Sequence, residues 1–255
     1  MWSREAPARG DAVVAGERVL TVEPDARDRA VRLRIKICGL CTPSAAREAR
    51  SAGADYVGVV VGAPGPRRQS LERAAEICAA AEGAMRVGVF ADASFDAMVT
   101  AAARLNLDVL QLHGEEDPGL IARLREAGAR AIWKAIRPRS AEAFERALER
   151  YAEHVDGVLV DGFATGSAGG AGVQFDWEAI VPLRSRIGSG TLFIVAGGLH
   201  ADNVAAAIAC LLPDVVDVSS GVESALCEKS PERMRAFVTH ARAAALAHGS
   251  GGSAS

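Results

Sequence analysis

No apolar run in the chain approaches the roughly 20 residues that cross a bilayer, so no membrane-spanning segment is expected. Basic charge is not in surplus either. The net charge is −3 at neutral pH, which argues against nucleic acid as a partner. Cysteines are few and odd in number, five at positions 38, 41, 78, 210 and 227. Their scatter argues against a disulfide framework and for a reducing, cytoplasmic setting. No cluster of His, Cys and Asp has zinc-site spacing, so no metal is expected. A Gly-x-Gly-x-x-Gly turn after the first strand-like run is missing, which removes the main argument for an open dinucleotide-binding sheet. Residues 1–30 mix five arginines with six acids and lack the apolar stretch of a secretory signal.

What the chain does have is alternation. Short apolar runs rich in β-branched residues fall near 33–38, 56–61, 85–90, 108–112, 131–136, 156–160, 192–197 and 215–218. Each is followed by a segment of helical character: 44–51, 71–81, 95–105, 120–127, 141–151, 177–187, 201–211 and 231–246. Continuous runs such as Val57-Gly58-Val59-Val60-Val61 suit strands covered on both sides, as in parallel sheets. Eight such units predict an α/β fold, a single-domain (β/α)8 TIM barrel over residues 31–248. Residues 1–30 read as a flexible extension in which Val19–Val22 could add a stray strand. The Gly/Ser-rich stretch 249–255 reads as a disordered tail.

A TIM barrel carries its active site at the C-terminal ends of its strands. The first strand ends on Cys38, which has three readings: a general base, one half of a Cys38-Gly39-Leu40-Cys41 redox pair, or a small buried apolar residue. Lys36, two residues back, should share its face. Val158-Leu159-Val160 delivers Asp161 to the barrel mouth, where an apolar rim would suit a general acid. The Gly/Ala/Ser stretch after it, to Gly172, reads as a mobile active-site loop. Ala196-Gly197-Gly198-Leu199 and Ser219-Ser220-Gly221 follow the seventh and eighth runs, the two places where such barrels often hold phosphate. Arg67, beside Arg68 after the second run, could clamp a carboxylate bidentately. Gln111 and His113 come forward at the fourth strand end, and for His113 a pocket role and a packing role stay equally open.

Taken in order, several stretches resemble the phosphoribosylanthranilate isomerase family: Lys36-Ile37-Cys38-Gly39, Gly53-Ala54-Asp55, Arg86-Val87-Gly88-Val89-Phe90, Gln111-Leu112-His113-Gly114-Glu115 and Lys134-Ala135-Ile136. They continue with Gly169–Gly172, Phe175-Asp176-Trp177, Ala196–Leu199 with Asn203-Val204, and Asp217–Glu223. The resemblance implies an Amadori rearrangement of an aminoaldose to an aminoketose in tryptophan biosynthesis, without metal or organic cofactor. It implies Cys38 as base and Asp161 as acid, Arg67 on the anthranilate carboxylate, and Gly170, Gly172, Gly197, Gly198, Ser219, Ser220 and Gly221 on the phosphate, with Gln111 and His113 as further binding residues. The partner it implies is a small phosphorylated substrate, with the chain a monomer or a homodimer.

The chain departs from the family wording at Cys41, at Val59 and Val61 in strand 2, at Gly65, at Gly162 and across Ser224–Lys229. The strand-2 departures motivate one alternative, a paralogue acting on a modified anthranilate or related aminoaldose phosphate; a second, from another class, is a non-catalytic phosphate-ligand sensor with Cys38 and Cys41 as its redox pair. The related histidine-pathway isomerase fits poorly, since strand 1 ends in Cys38 rather than aspartate.

Overall fold

The structure, a computed structural model, describes residues 33–162 and 177–250. The expected N-terminal extension, with Val19–Val22, lies outside the described residues, as do Gly170, Gly172 and positions 251–255. Eight parallel strands close into a barrel in sequence order. They are β1 (Arg34–Ile37), β2 (Tyr56–Gly62), β3 (Met85–Phe90), β4 (Val109–Leu112), β5 (Ile132–Ile136), β6 (Gly157–Asp161), β7 (Leu192–Ala196) and β8 (Val215–Val218). Closure is made by β1 pairing with both β2 and β8.

Helices α1 (Pro43–Ala52), α2 (Leu71–Ala80), α3 (Phe95–Leu105), α4 (Pro118–Glu126) and α5 (Ala141–Tyr151) follow the first five strands. Each starts where a hydroxyl or carboxylate side chain accepts from an otherwise unpaired backbone N–H: Thr42, Ser70, Ser94, Asp117 and Ser140. Helix α6 (Val204–Leu211) follows β7, and α7 (Pro231–Ser250) ends the described chain, taking in Gly249 and Ser250. The segment after β6 differs from the expected helix. Glu178–Arg186 winds as 3₁₀ turns with Pro182 inside, and a proline there removes an N–H donor and crowds the preceding turn. A hairpin not foreseen from the sequence, β9 (Glu223–Ala225) with β10 (Glu228–Lys229), follows β8.

Because strand side chains alternate faces, each strand contributes one row to the barrel interior and one to the helix layer. The interior row holds Tyr56, Val87, Val109, Trp133, Leu159, Ile194 and Val215. Tyr56 and Trp133 meet edge to face there, centroids 4.9 Å apart. The outward row, including Val57, Val59 and Val61, packs into the larger cluster shared with the helices. The strand-2 departures therefore sit behind the barrel wall and do not face the mouth.

Candidate active site

Counting in twos from the interior row brings the chemistry to one end. Lys36 leads to Cys38, Gln111 to His113, Leu159 to Asp161, and Asp217 to Ser219. The same count carries Trp133 and Ala135 to Arg137.

The β1–β8 register sets Lys36 opposite Asp217, and their side chains join at 2.8 Å with Lys36 fully buried. Burial alone would push Lys36 down, but the Asp217 carboxylate and the neighbouring Cys38 hold it above the ordinary lysine range. Cys38 sits just beyond β1, buried, with Gly58 beside it. A side chain at Gly58 would reach within 2.7 Å of the sulfur, so the glycine leaves the thiol its space. Burial pushes the Cys38 thiol up, against the pull of the Lys36 ammonium. The lowered thiol expected of a base is thus not the net result, because desolvation outweighs the cation. Cys41 engages other groups. Its thiol donates to the Gly39 carbonyl, and burial together with a hydrogen bond to Cys227 pushes it up to about 12. Nothing here supports a Cys38/Cys41 redox pair.

Asp161 stands on β6, across the mouth from β1, with its side chain 19% exposed. Its neighbour is not the apolar rim expected from sequence but a cation: Arg137 Nε donates to Asp161 Oδ2 at 3.1 Å. Arg137 Nη2 lies 3.1 Å from His113 Nδ1, and His113 Nε2 lies 2.5 Å from the Gln111 side-chain amide. His113 is therefore bonded at both ring nitrogens. Burial first, then Arg137, pushes it down to about 3. Gln111, expected as a binding residue, is 1% exposed, with its side-chain amide against His113.

Below these groups the loop after β4 is pinned from behind. Lys134 Nζ pairs with Glu116 at 2.9 Å and donates to the carbonyl of Gly114 at 2.5 Å. Glu116 in turn accepts from the N–H groups of Asp92 and Gly114.

Arg67 lies by the β1 end, its Nε and Nη2 forked onto Glu223 at 2.7 and 2.6 Å. This leaves the Nη1/Nη2 end of the guanidinium for a ligand carboxylate. Glu223 also pairs with Lys229 at 3.0 Å, and Lys229 Nζ donates to the Ser219 carbonyl at 2.9 Å. Burial alone would raise Glu223, but the hydrogen bonds from Arg67 and Lys229 hold it below the usual carboxylate range. Burial pushes Lys229 down. Hairpin β9–β10 brings Lys229 to this place, so no local motif could have signalled it. Arg137 was missed for another reason: it follows the last residue of β5, one step beyond where the apolar alternation stops.

Gly197 and Gly198 both adopt positive φ, +86° and +66°, and Gly198 has open space where a side chain would point. A Cβ on Gly221 would lie 1.9 Å from the Leu199 carbonyl, so the turns after β7 and β8 can touch only because that position is glycine. Ser220–Val222 forms one 3₁₀ turn beside them. Gly197, Gly198, Ser219, Ser220 and Gly221 are thus brought together, next to Lys229. A cavity of about 500 Å³ elsewhere, lined by Val99, Ala102, Leu107, Leu124 and Arg130, opens at the other end of β4 and β5 and gathers none of these groups.

A closed (β/α)8 barrel with a thiol just past β1, a carboxyl ending β6 and touching glycine turns after β7 and β8 has the layout of the phosphate-binding TIM-barrel enzymes. Comparison with known proteins narrows the class. The chain belongs to the N-(5'-phosphoribosyl)anthranilate isomerase family, whose model matches residues 35–240. A curated N-(5'-phosphoribosyl)anthranilate isomerase of Rubrobacter xylanophilus is 41% identical over 210 residues, covering 82% of this chain and 98% of that protein. A crystal structure of phosphoribosyl anthranilate isomerase from Thermotoga maritima matches with a TM-score of 0.75 and 34% identity, over 83% of this chain and 99% of that one. A structure of the enzyme in complex with reduced 1-(o-carboxyphenylamino)-1-deoxyribulose 5-phosphate matches with a TM-score of 0.72 and 32% identity, over 83% of this chain and 99% of that one.

Proposed function

We propose that the chain isomerises N-(5'-phosphoribosyl)anthranilate to 1-(2-carboxyphenylamino)-1-deoxyribulose 5-phosphate in tryptophan biosynthesis, with Asp161 as general acid and Cys38 as general base. The observation that supports this reading is that Cys38, just past β1, and Asp161, at the end of β6, lie at the same end of one closed barrel. Asp161 protonates the ribose ring oxygen while the anthranilate nitrogen drives ring opening to an iminium. Cys38 then takes the C2 proton, giving an enolamine that relaxes to the ketone. Lys36, whose pull on Cys38 opposes the effect of burial, supplies the positive charge a thiolate needs there.

The phosphate belongs at the paired turns, held by backbone N–H groups of Gly197, Gly198, Ser220 and Gly221, with Lys229 adding charge behind Ser219. Gly170 and Gly172 are further candidates for the same task. The anthranilate carboxylate meets the open end of Arg67. In this reading the substrate is a small phosphorylated molecule, and the enzyme works in the cytoplasm, as a monomer or homodimer, without metal or organic cofactor. The modified-anthranilate alternative loses its structural motive, since Val59 and Val61 pack against helices.

Single-turnover assays of two variants test the roles. Cys38→Ser and Asp161→Asn should each lower the rate by about 10²–10⁴ with unchanged thermal unfolding, the usual worth of one positioned proton transfer. Turnover within a few-fold of the parent in either variant would remove that residue from the mechanism.

A further inference from the structure

Resting on the assignment of Asp161 as the acid, we infer that Arg137 is a positioning residue for the isomerisation, the centre of a relay Gln111–His113–Arg137–Asp161 that fixes which carboxyl oxygen faces the substrate.

Three contacts run through four side chains at the ends of three adjacent strands: 2.5 Å from Gln111 to His113, 3.1 Å from His113 to Arg137 and 3.1 Å from Arg137 to Asp161. Their chemistry allows only one pattern. A guanidinium only donates, so Nδ1 of His113 must accept from Arg137, and the imidazole is neutral with its hydrogen on Nε2. Nε2–H then needs an acceptor at Gln111. An amide nitrogen cannot accept, so the Gln111 side chain presents Oε1 to His113. In the opposite orientation two donors would meet at 2.5 Å and the buried Oε1 would have no partner. The relay is therefore directional, from Arg137 through His113 to the buried end at Gln111. The burial that pushes His113 down keeps it in the neutral form the pattern requires.

At the other end, Arg137 holds Oδ2 of Asp161. Oδ1 is turned toward Gly197, where a Cβ would lie 2.8 Å from it. That side leads to the paired glycine turns, so Oδ1 is the oxygen that carries the proton to the ribose. Arg137 is half-exposed and anchored at two nitrogens, and a planar fork does this where a lysine ammonium cannot. The other cations that act on His113, Lys36 on β1 and Lys134 on β5, are each held by a carboxylate of their own, Asp217 and Glu116. Among the described residues, Arg137 is the side chain that connects His113 to Asp161.

The experiment compares Arg137→Ala, Arg137→Lys and Arg137→Ala/Asp161→Asn with the parent enzyme in steady-state kinetics, alongside ¹⁵N NMR of His113. Arg137→Ala should lower kcat by about 10–100-fold with KM for the substrate changed less than about threefold, the usual scale for a misplaced catalytic group. Arg137→Lys should restore little of it. Added to Asp161→Asn, the substitution should cost less than about threefold more, because it acts through that carboxyl. In the parent, NMR should find His113 neutral with its hydrogen on Nε2 from pH 5 to 8, and in Arg137→Ala that fixed tautomer should be lost. A kcat within twofold of the parent, a loss confined to KM, or a full further loss on top of Asp161→Asn would overturn the inference. If Asp161→Asn alone is nearly fully active, the acid assignment fails and the positioning inference with it. The NMR result then still reports whether the relay exists.

Discussion

At the scale of single residues, the site is a set of ionisable groups moved from their ordinary behaviour by burial and then partly recovered by a neighbour. Cys38 and Lys36 show this together, and His113 shows burial prevailing. Stability follows from the last of these. In the unfolded chain a histidine takes up a proton near pH 6.5, whereas folded His113 resists it down to about 3. Between those limits the unfolded state binds more protons, so stability rises with pH and falls on acidification. Urea midpoints should therefore drop between pH 7 and pH 5, and the drop should be smaller in His113→Asn. An equal drop in that variant would show that His113 is not its source. Cys38, Lys36 and Asp161 were legible from sequence because each ends or continues an apolar strand. Arg137 was legible in principle, by carrying the alternation of Trp133 and Ala135 one step past β5. Glu223 and Lys229 owe their partnership to a hairpin with no local signal, and Gln111 shares the interior face of β4 with Val109, two residues before it.

At the scale of elements, register does what sequence distance conceals. Strand β1 closes the barrel against β8 with Lys36 facing Asp217, 181 positions away. Removing one member of a buried pair leaves the other uncompensated, at a typical cost of about 3–5 kcal/mol. Asp217→Ala should lower unfolding stability by about that amount in urea titrations. The double replacement Lys36→Met/Asp217→Leu should cost clearly less, since both charges are gone. A single-variant loss under about 1 kcal/mol would mean the pair does not hold the β1–β8 seam. The alternating strands and helices could be read directly from apolar runs of four to seven residues and from caps such as Ser70 and Ser94. The segment Glu178–Arg186 could not be, because its apolar spacing suits a helix while Pro182 breaks the bonding pattern that would make one.

At the scale of the whole molecule, closure of eight strands turns scattered strand ends into one rim. Cys38, His113, Arg137, Asp161 and Ser219 share that rim only because the barrel is complete and parallel. Composition could argue against a membrane-spanning helix and a nucleic-acid partner, and periodicity could supply the barrel, but neither names a substrate. That came from a collinear series of short motifs, and family membership agrees with it. Among the described residues no helix is long and apolar enough to cross a membrane. The most direct test of the account is to generate N-(5'-phosphoribosyl)anthranilate in the presence of the purified chain and follow its anthranilate-type fluorescence. The account predicts rapid loss beyond spontaneous hydrolysis, with 1-(2-carboxyphenylamino)-1-deoxyribulose 5-phosphate as product. A folded protein that leaves the decay at the spontaneous rate would contradict it.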